Sequence, residues 1–204
     1  LGFRISPVVP RELPDHCRGQ LEREHLPCNL CFVAPARSIH TRRWVRAFSR
    51  RHDYGVTLVS PSGPPPARTD LGPAHIIWFE PPSREQTRLV RYLRVCRNYL
   101  QMRRCIIEYD FDLVHVHQLP QPLTVPFFWR VPGLVVSPWG SDIVDLPGET
   151  SGVIRDLSRR FILRQAEAIT ATSEFLASVA ETYAPPDKNI RVVPFGVDLD
   201  VFTP

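Results

Sequence analysis

Short apolar runs suited to buried strands alternate with stretches of helical spacing along most of this chain. That alternation limits the fold more than any other feature, because strand–helix–strand order selects a parallel sheet covered by helices. Seven segments read as strands: 29–35, 54–60, 74–79, 112–116, 134–137, 168–171 and 190–193. Between them, 39–51, 83–108, 122–131, 152–165 and 174–183 read as helices. In the longest of these, Leu89, Leu93, Cys96 and Leu100 recur at helical spacing and are expected to face the core, with Ser83 as the cap. The fold class expected is α/β, Rossmann-like, with a mostly parallel sheet of about seven strands and helices on both faces. The domain division expected is an irregular extension over 1–28, the Rossmann-like domain over 29–194 and the start of an interdomain hinge over 195–204.

Composition supports a globular domain and removes several function classes. Of the 204 residues, 43% are hydrophobic and 23% charged, and no apolar run has the length of a membrane span. Residues 1–27 lack the apolar stretch of a secretory signal. Lys188 is the only lysine among 25 basic residues, and with 22 prolines this points to a GC-rich, bacterial coding sequence. Net charge is only +4, so no nucleic-acid partner is expected. The five cysteines have no framework spacing and read as reduced thiols of a cytoplasmic protein. Cys28 and Cys31, with His16, Cys17 and His25 upstream, raise a zinc site. A strand through Cys31 sends positions 28 and 31 to opposite faces, so no metal is expected.

In doubly wound folds ligands bind at the carboxyl ends of the strands. No glycine fingerprint follows the first strand and no Walker A sequence occurs, which counts against a dehydrogenase, an epimerase of that type or a nucleotide triphosphatase. After the first strand, Arg37, Ser38 and His40 sit at a helix start, where backbone N–H groups and arginines favour a phosphate; the alternative is a solvated helix start. His115 and His117 share one face of the fourth strand, and His117 lies nearer the carboxyl end. Trp139, Gly140, Ser141 and Asp142 follow the fifth strand. Gly140 allows a tight turn, and Asp142 offers a carboxylate to sugar hydroxyls or as a base; otherwise it closes an Asx turn. The helix over 83–108 carries Arg84, Arg88, Arg91, Arg94 and Arg97. They read either as a solvated outer face or as a peripheral contact with an anionic membrane.

Taken in order, five segments resemble the N-terminal domain of the family-four, nucleotide-sugar-dependent retaining glycosyltransferases of GT-B fold. They are Ala34-Pro-Ala-Arg-Ser-Ile-His40, Phe111-Asp-Leu-Val-His-Val-His117, Trp139-Gly-Ser-Asp142, Ala168-Ile-Thr-Ala-Thr-Ser173 and Val193-Pro-Phe-Gly-Val-Asp198. The resemblance covers about 29–204. It implies two Rossmann-like domains facing a cleft, with the acceptor held by this half and the nucleotide-sugar mainly by a second domain that is not in this sequence. It implies no cofactor and no metal, since the nucleotide-sugar is a substrate and positive groups stabilise the leaving diphosphate. Same-face attack, with the leaving phosphate helping to deprotonate the acceptor, would give retention.

By position, Arg37–His40 match the loop near the sugar diphosphate, where many members have a glycine pair that this chain lacks. Trp139 stands where the family usually has His, which leaves Asp142 as the expected catalytic group. Ser173 matches a polar residue facing the cleft, and Phe195, Gly196 and Asp198 match a hinge that usually reads Asn-Gly-Val-Asp. The partners expected are a nucleotide-sugar donor and a glycan, lipid or small-molecule acceptor, with this half inactive alone. The protein is expected in the cytoplasm, with the inner membrane face as a peripheral site. The other reading is a non-catalytic domain that binds carbohydrate or a membrane surface.

Overall fold

A computed structural model describes residues 28–83, 85–145 and 152–196. Asp198 and Arg84 therefore lie outside the described residues, as do 1–27 of the expected N-terminal extension. Cys28, placed in that extension by the sequence reading, is the first residue of β1 (Cys28–Val33). The other elements are α1 (Ile39–Ser49), β2 (Tyr54–Ser60), β3 (His75–Trp78), α2 (Arg88–Glu108), β4 (Leu113–His117), β5 (Leu134–Ser137), α3 (Val153–Gln165), β6 (Ala168–Ala171), α4 (Glu174–Glu181) and β7 (Asn189–Val192). All seven strands join one sheet in the order β3-β2-β1-β4-β5-β6-β7, and every pairing is parallel. Chain direction across the sheet reverses between β1 and β4. That switch point opens the crevice in which such folds bind ligands.

Strand alternation puts apolar side chains on both faces, and each face has its own core. Cys31 and Val33 pack with residues of α2, α3 and α4, including Met102, Ile162 and Ala180. Leu30 and Phe32 pack with Val45, Trp44 and Phe48 of α1. Helices thus cover both faces, as expected. Cys31 lies in the first core, where burial pushes its thiol pKa up, whereas Cys28 begins the strand and is only half-buried.

Three local expectations are corrected. The long helix begins at Arg88, with the Thr87 hydroxyl accepting from the Val90 N–H at 3.4 Å. Ser83 instead closes a turn by accepting from the Glu85 N–H at 3.3 Å. The expected helix over 122–131 shrinks to a 3-10 turn, Val125–Phe128, because Pro126 has no N–H to give. The leucine stripe of α2 does not face the core: Leu89, Leu93 and Leu100 are exposed at 66%, 56% and 48%. The helix has two apolar stripes and only one can meet the sheet. Met102, Cys105 and Ile106 do so, and Asn98 joins them by donating to the Glu80 carbonyl at 2.8 Å.

Candidate functional site at the strand ends

The carboxyl ends of β1, β4 and β5 meet at the switch point, and most of the expected site residues gather there. Alternation along β4 sends Val114 and Val116 into the core under α2 and turns His115 and His117 toward α1. Phe32 and Trp44 enclose both imidazoles, with ring centroids 5.2–5.5 Å away. His115 is bound through Nε2 to the Ser137 hydroxyl at 2.6 Å, and Ser137 in turn meets Thr170. Burial pulls the His115 pKa down to about 4. His117 is 3% exposed, and both its ring nitrogens lack a hydrogen-bond partner among the described residues. Burial, then the neighbouring His115 and His40, holds its pKa well below the ordinary value. A neutral imidazole of such low basicity can exchange hydrogen bonds with a ligand but is a poor proton acceptor at neutral pH.

Above His117 lies an aromatic cap. The Trp139 ring is 4.9 Å from His117 and 5.6 Å from His40, and His40 stacks on Phe195 at 4.0 Å. Trp139 and Phe195 meet edge to face at 5.5 Å. The Arg43 guanidinium donates to the Gly196 carbonyl at 2.9 Å, so α1 holds the segment after β7 by both stacking and a hydrogen bond. Thus Trp139 and Phe195, two of the positions at which the sequence departs from the pattern it resembles, touch each other.

The loop after β5 is organised by Asp142. Its carboxylate accepts from three backbone N–H groups: Leu119 at 2.7 Å, Gly140 at 2.8 Å and Trp139 at 3.0 Å. It therefore closes the turn over 139–142 and ties it to the chain leaving β4. Gly140 has φ +144, a region that L side chains rarely adopt, which explains the glycine. Ser141 is exposed beside it. The last two residues of the turn, Ser141 and Asp142, line a cavity of about 640 Å³ with Gln118, Arg155 and Arg159. A second cavity of about 300 Å³ runs from His117 and Gln118 to Pro82, Val95 and Thr124.

Two residues of this region went unnoticed in the sequence. Gln118 stands between the cavities with φ +67, an uncommon conformation for a non-glycine residue and one that clusters at functional sites. Arg159 appears in the sequence as one of four helix arginines, yet it is 2% exposed. It binds Asp145 at 3.0 Å, the Tyr183 hydroxyl at 3.0 Å and the Asp142 carbonyl at 3.4 Å. The only hint was its place between Asp145 and Tyr183, which no local spacing reveals.

The remaining expected residues, Arg37, Ser38 and Ser173, line neither cavity. Arg37 is exposed on the loop before α1. Ser38 occupies the N-cap position of α1 without a side-chain cap hydrogen bond, which leaves its hydroxyl uncommitted to the helix. Ser173 caps α4, accepting from the Leu176 N–H at 3.2 Å.

The model of Glycosyltransferase Family 4 matches residues 38–201. No curated protein matches the sequence significantly. Among solved structures, sucrose-phosphate synthase from Thermosynechococcus elongatus aligns with a TM-score of 0.65 at 13% identity, covering 87% of this chain and 50% of that one. UDP-N-acetylglucosamine 2-epimerase from Rickettsia bellii aligns with a TM-score of 0.53 at 9% identity, covering 80% of this chain and 44% of that one. The chain therefore spans about half the length of these two structures, and at such identities the likeness is one of fold.

Proposed function

The chain belongs to Glycosyltransferase Family 4, and from that premise we propose that it is the acceptor-side half of a retaining glycosyltransferase. Its partner half would hold the nucleotide-sugar. The observation that carries this reading is the pair of cavities at the switch point, which share Gln118, Leu119, Pro120 and Gln121. They lie at the carboxyl ends of the central strands, where a second domain would close a cleft, and the chain spans half of the sucrose-phosphate synthase that it resembles.

In this proposal an acceptor hydroxyl attacks the anomeric carbon on the face the diphosphate leaves. The C–O bond to the diphosphate breaks, the bond to the acceptor oxygen forms, and the hydroxyl proton passes to the leaving phosphate oxygen. The low basicity of His117 supports that assignment, because the buried imidazole would not compete for the proton. His117, Ser141 and Gln118 would contact the acceptor; Trp139 and His40 would wall the site. Arg37 and Ser38, at the start of α1, would face the diphosphate, where helix N–H groups favour an anion. Asp142 acts by positioning, since its carboxylate is taken up by three N–H groups. Phe195 and Gly196 would form the near side of the hinge, with Asp198 following.

Calorimetry on the full protein and on this half tests the division of labour. The half is expected to bind a nucleotide-sugar weakly or not at all, and the full protein to bind it. Tight nucleotide-sugar binding by this half would overturn the assignment.

A further inference from the structure

The exposed stripe of α2 has no partner among the described residues, and its composition specifies what would cover it. Leu89, Leu93, Leu100 and Ile107 fall on one face at steps of four, seven and seven. From Leu89 to Ile107 the stripe runs about 27 Å along the helix. Arg97 and Arg104, both exposed, interleave with it at steps of three and four. At the N-terminal end, Arg88, Arg91, Tyr92 and Leu123 line a further cavity of about 300 Å³. From Arg88 to Ile107 the helix has no carboxylate, and its one acid is Glu108 at the end.

A second copy of the chain would set Arg97 and Arg104 against the same arginines. Residues 1–27 carry four arginines and four carboxylates, so they bring no net negative charge. A planar surface that is apolar below and anionic at its rim complements both features. We propose that α2 docks flat on an anionic lipid bilayer, with its leucines entering the acyl boundary and its arginines meeting lipid phosphates. The outer cavity shares Pro82, Val95, Gln121 and Thr124 with the cavity that reaches His117. That outer cavity opens on the flank of α2 about a third of a turn from the leucines, so a docked chain would hold its mouth beside the bilayer. If the transfer reading holds, the acceptor class is a lipid-borne glycan or lipid hydroxyl.

Vesicle flotation of the full chain tests docking without any turnover. The chain is expected to float with vesicles containing about one-third phosphatidylglycerol and to stay behind with pure phosphatidylcholine. Arg97→Gln with Arg104→Gln should lower partition about 25-fold. Leu93→Ser with Leu100→Ser should lower it about 100-fold. All four positions are exposed, so both variants should melt like the parent. Equal partition onto the two vesicle types would overturn the proposal. So would parent-like partition by the variants, or sedimentation as a dimer with no flotation.

Discussion

Replacing Asp142 with alanine removes the acceptor for three backbone N–H groups at once, those of Leu119, Trp139 and Gly140. In a dry site each lost charge-assisted bond would cost about 1.5–3 kcal/mol. Asp142 is half-buried beside an open cavity, so water takes over part of this, and about 1 kcal/mol per donor is the better figure. The total is about 3 kcal/mol, which in a domain of this size lowers the melting temperature by about 9 °C. Asp142→Asn keeps one carbonyl oxygen and should lose roughly half as much. Exposed Ser141→Ala should stay within about 0.5 kcal/mol of the parent. Calorimetric melting with urea titration measures all three, and transfer by the full enzyme should fall in the same order. A parent-like melt for Asp142→Ala would refute the loop-holding argument. Lost transfer at unchanged stability would instead place the carboxylate on the substrate.

Other consequences follow from the same geometry. Gly140→Ala meets nothing within 4 Å, so its cost is backbone strain alone, about 1–3 kcal/mol in urea titration. Arg159→Met strips the buried partner from Asp145, Tyr183 and the Asp142 carbonyl and should cost about 3 kcal/mol by the same measurement. The histidines set a pH dependence. An unfolded chain takes up a proton at His115 below the ordinary 6.5, whereas the folded chain resists until about 4. Stability should therefore fall as pH drops through that window, by about 3 kcal/mol for His115 alone, and the lowered His117 pKa adds in the same direction. Urea midpoints at pH 7 and pH 4.5 check it, and His115→Gln should flatten the slope.

The fold was legible because its signals are local and repeated. Seven apolar runs separated by helical spacing leave few architectures, and the parallel sheet follows from that order. Period two placed His115 and His117 on one face correctly, since a strand offers only two faces. The face of α2 was not legible. Leu89, Leu93 and Leu100 make as good a stripe as Met102 and Cys105, and the choice depends on where the 3-10 turn and the sheet lie. The stacking of His40 on Phe195 was equally hidden, because the two residues are distant in sequence and meet only when β7 ends beside α1. Asp142 could be singled out from its turn context, but the length of its reach to Leu119 could not.

The aromatic residues at positions 139 and 195 gain a physical meaning in the folded chain. Trp139 and Phe195 pack together and against His40, so a polar strand end is closed by rings instead. Arg43 holds the following carbonyl. The segment leaving the sheet is thus fixed to α1 on the same side as the expected acceptor groups.

The most direct test of the account is the reaction itself. The full protein would be given a panel of nucleotide-sugars with lipid and glycan acceptors, and the anomeric configuration of any product read by nuclear magnetic resonance. The account predicts transfer with the donor's configuration kept. Inversion at the anomeric carbon, or conversion of the nucleotide-sugar to an epimer with no sugar transferred, would contradict it.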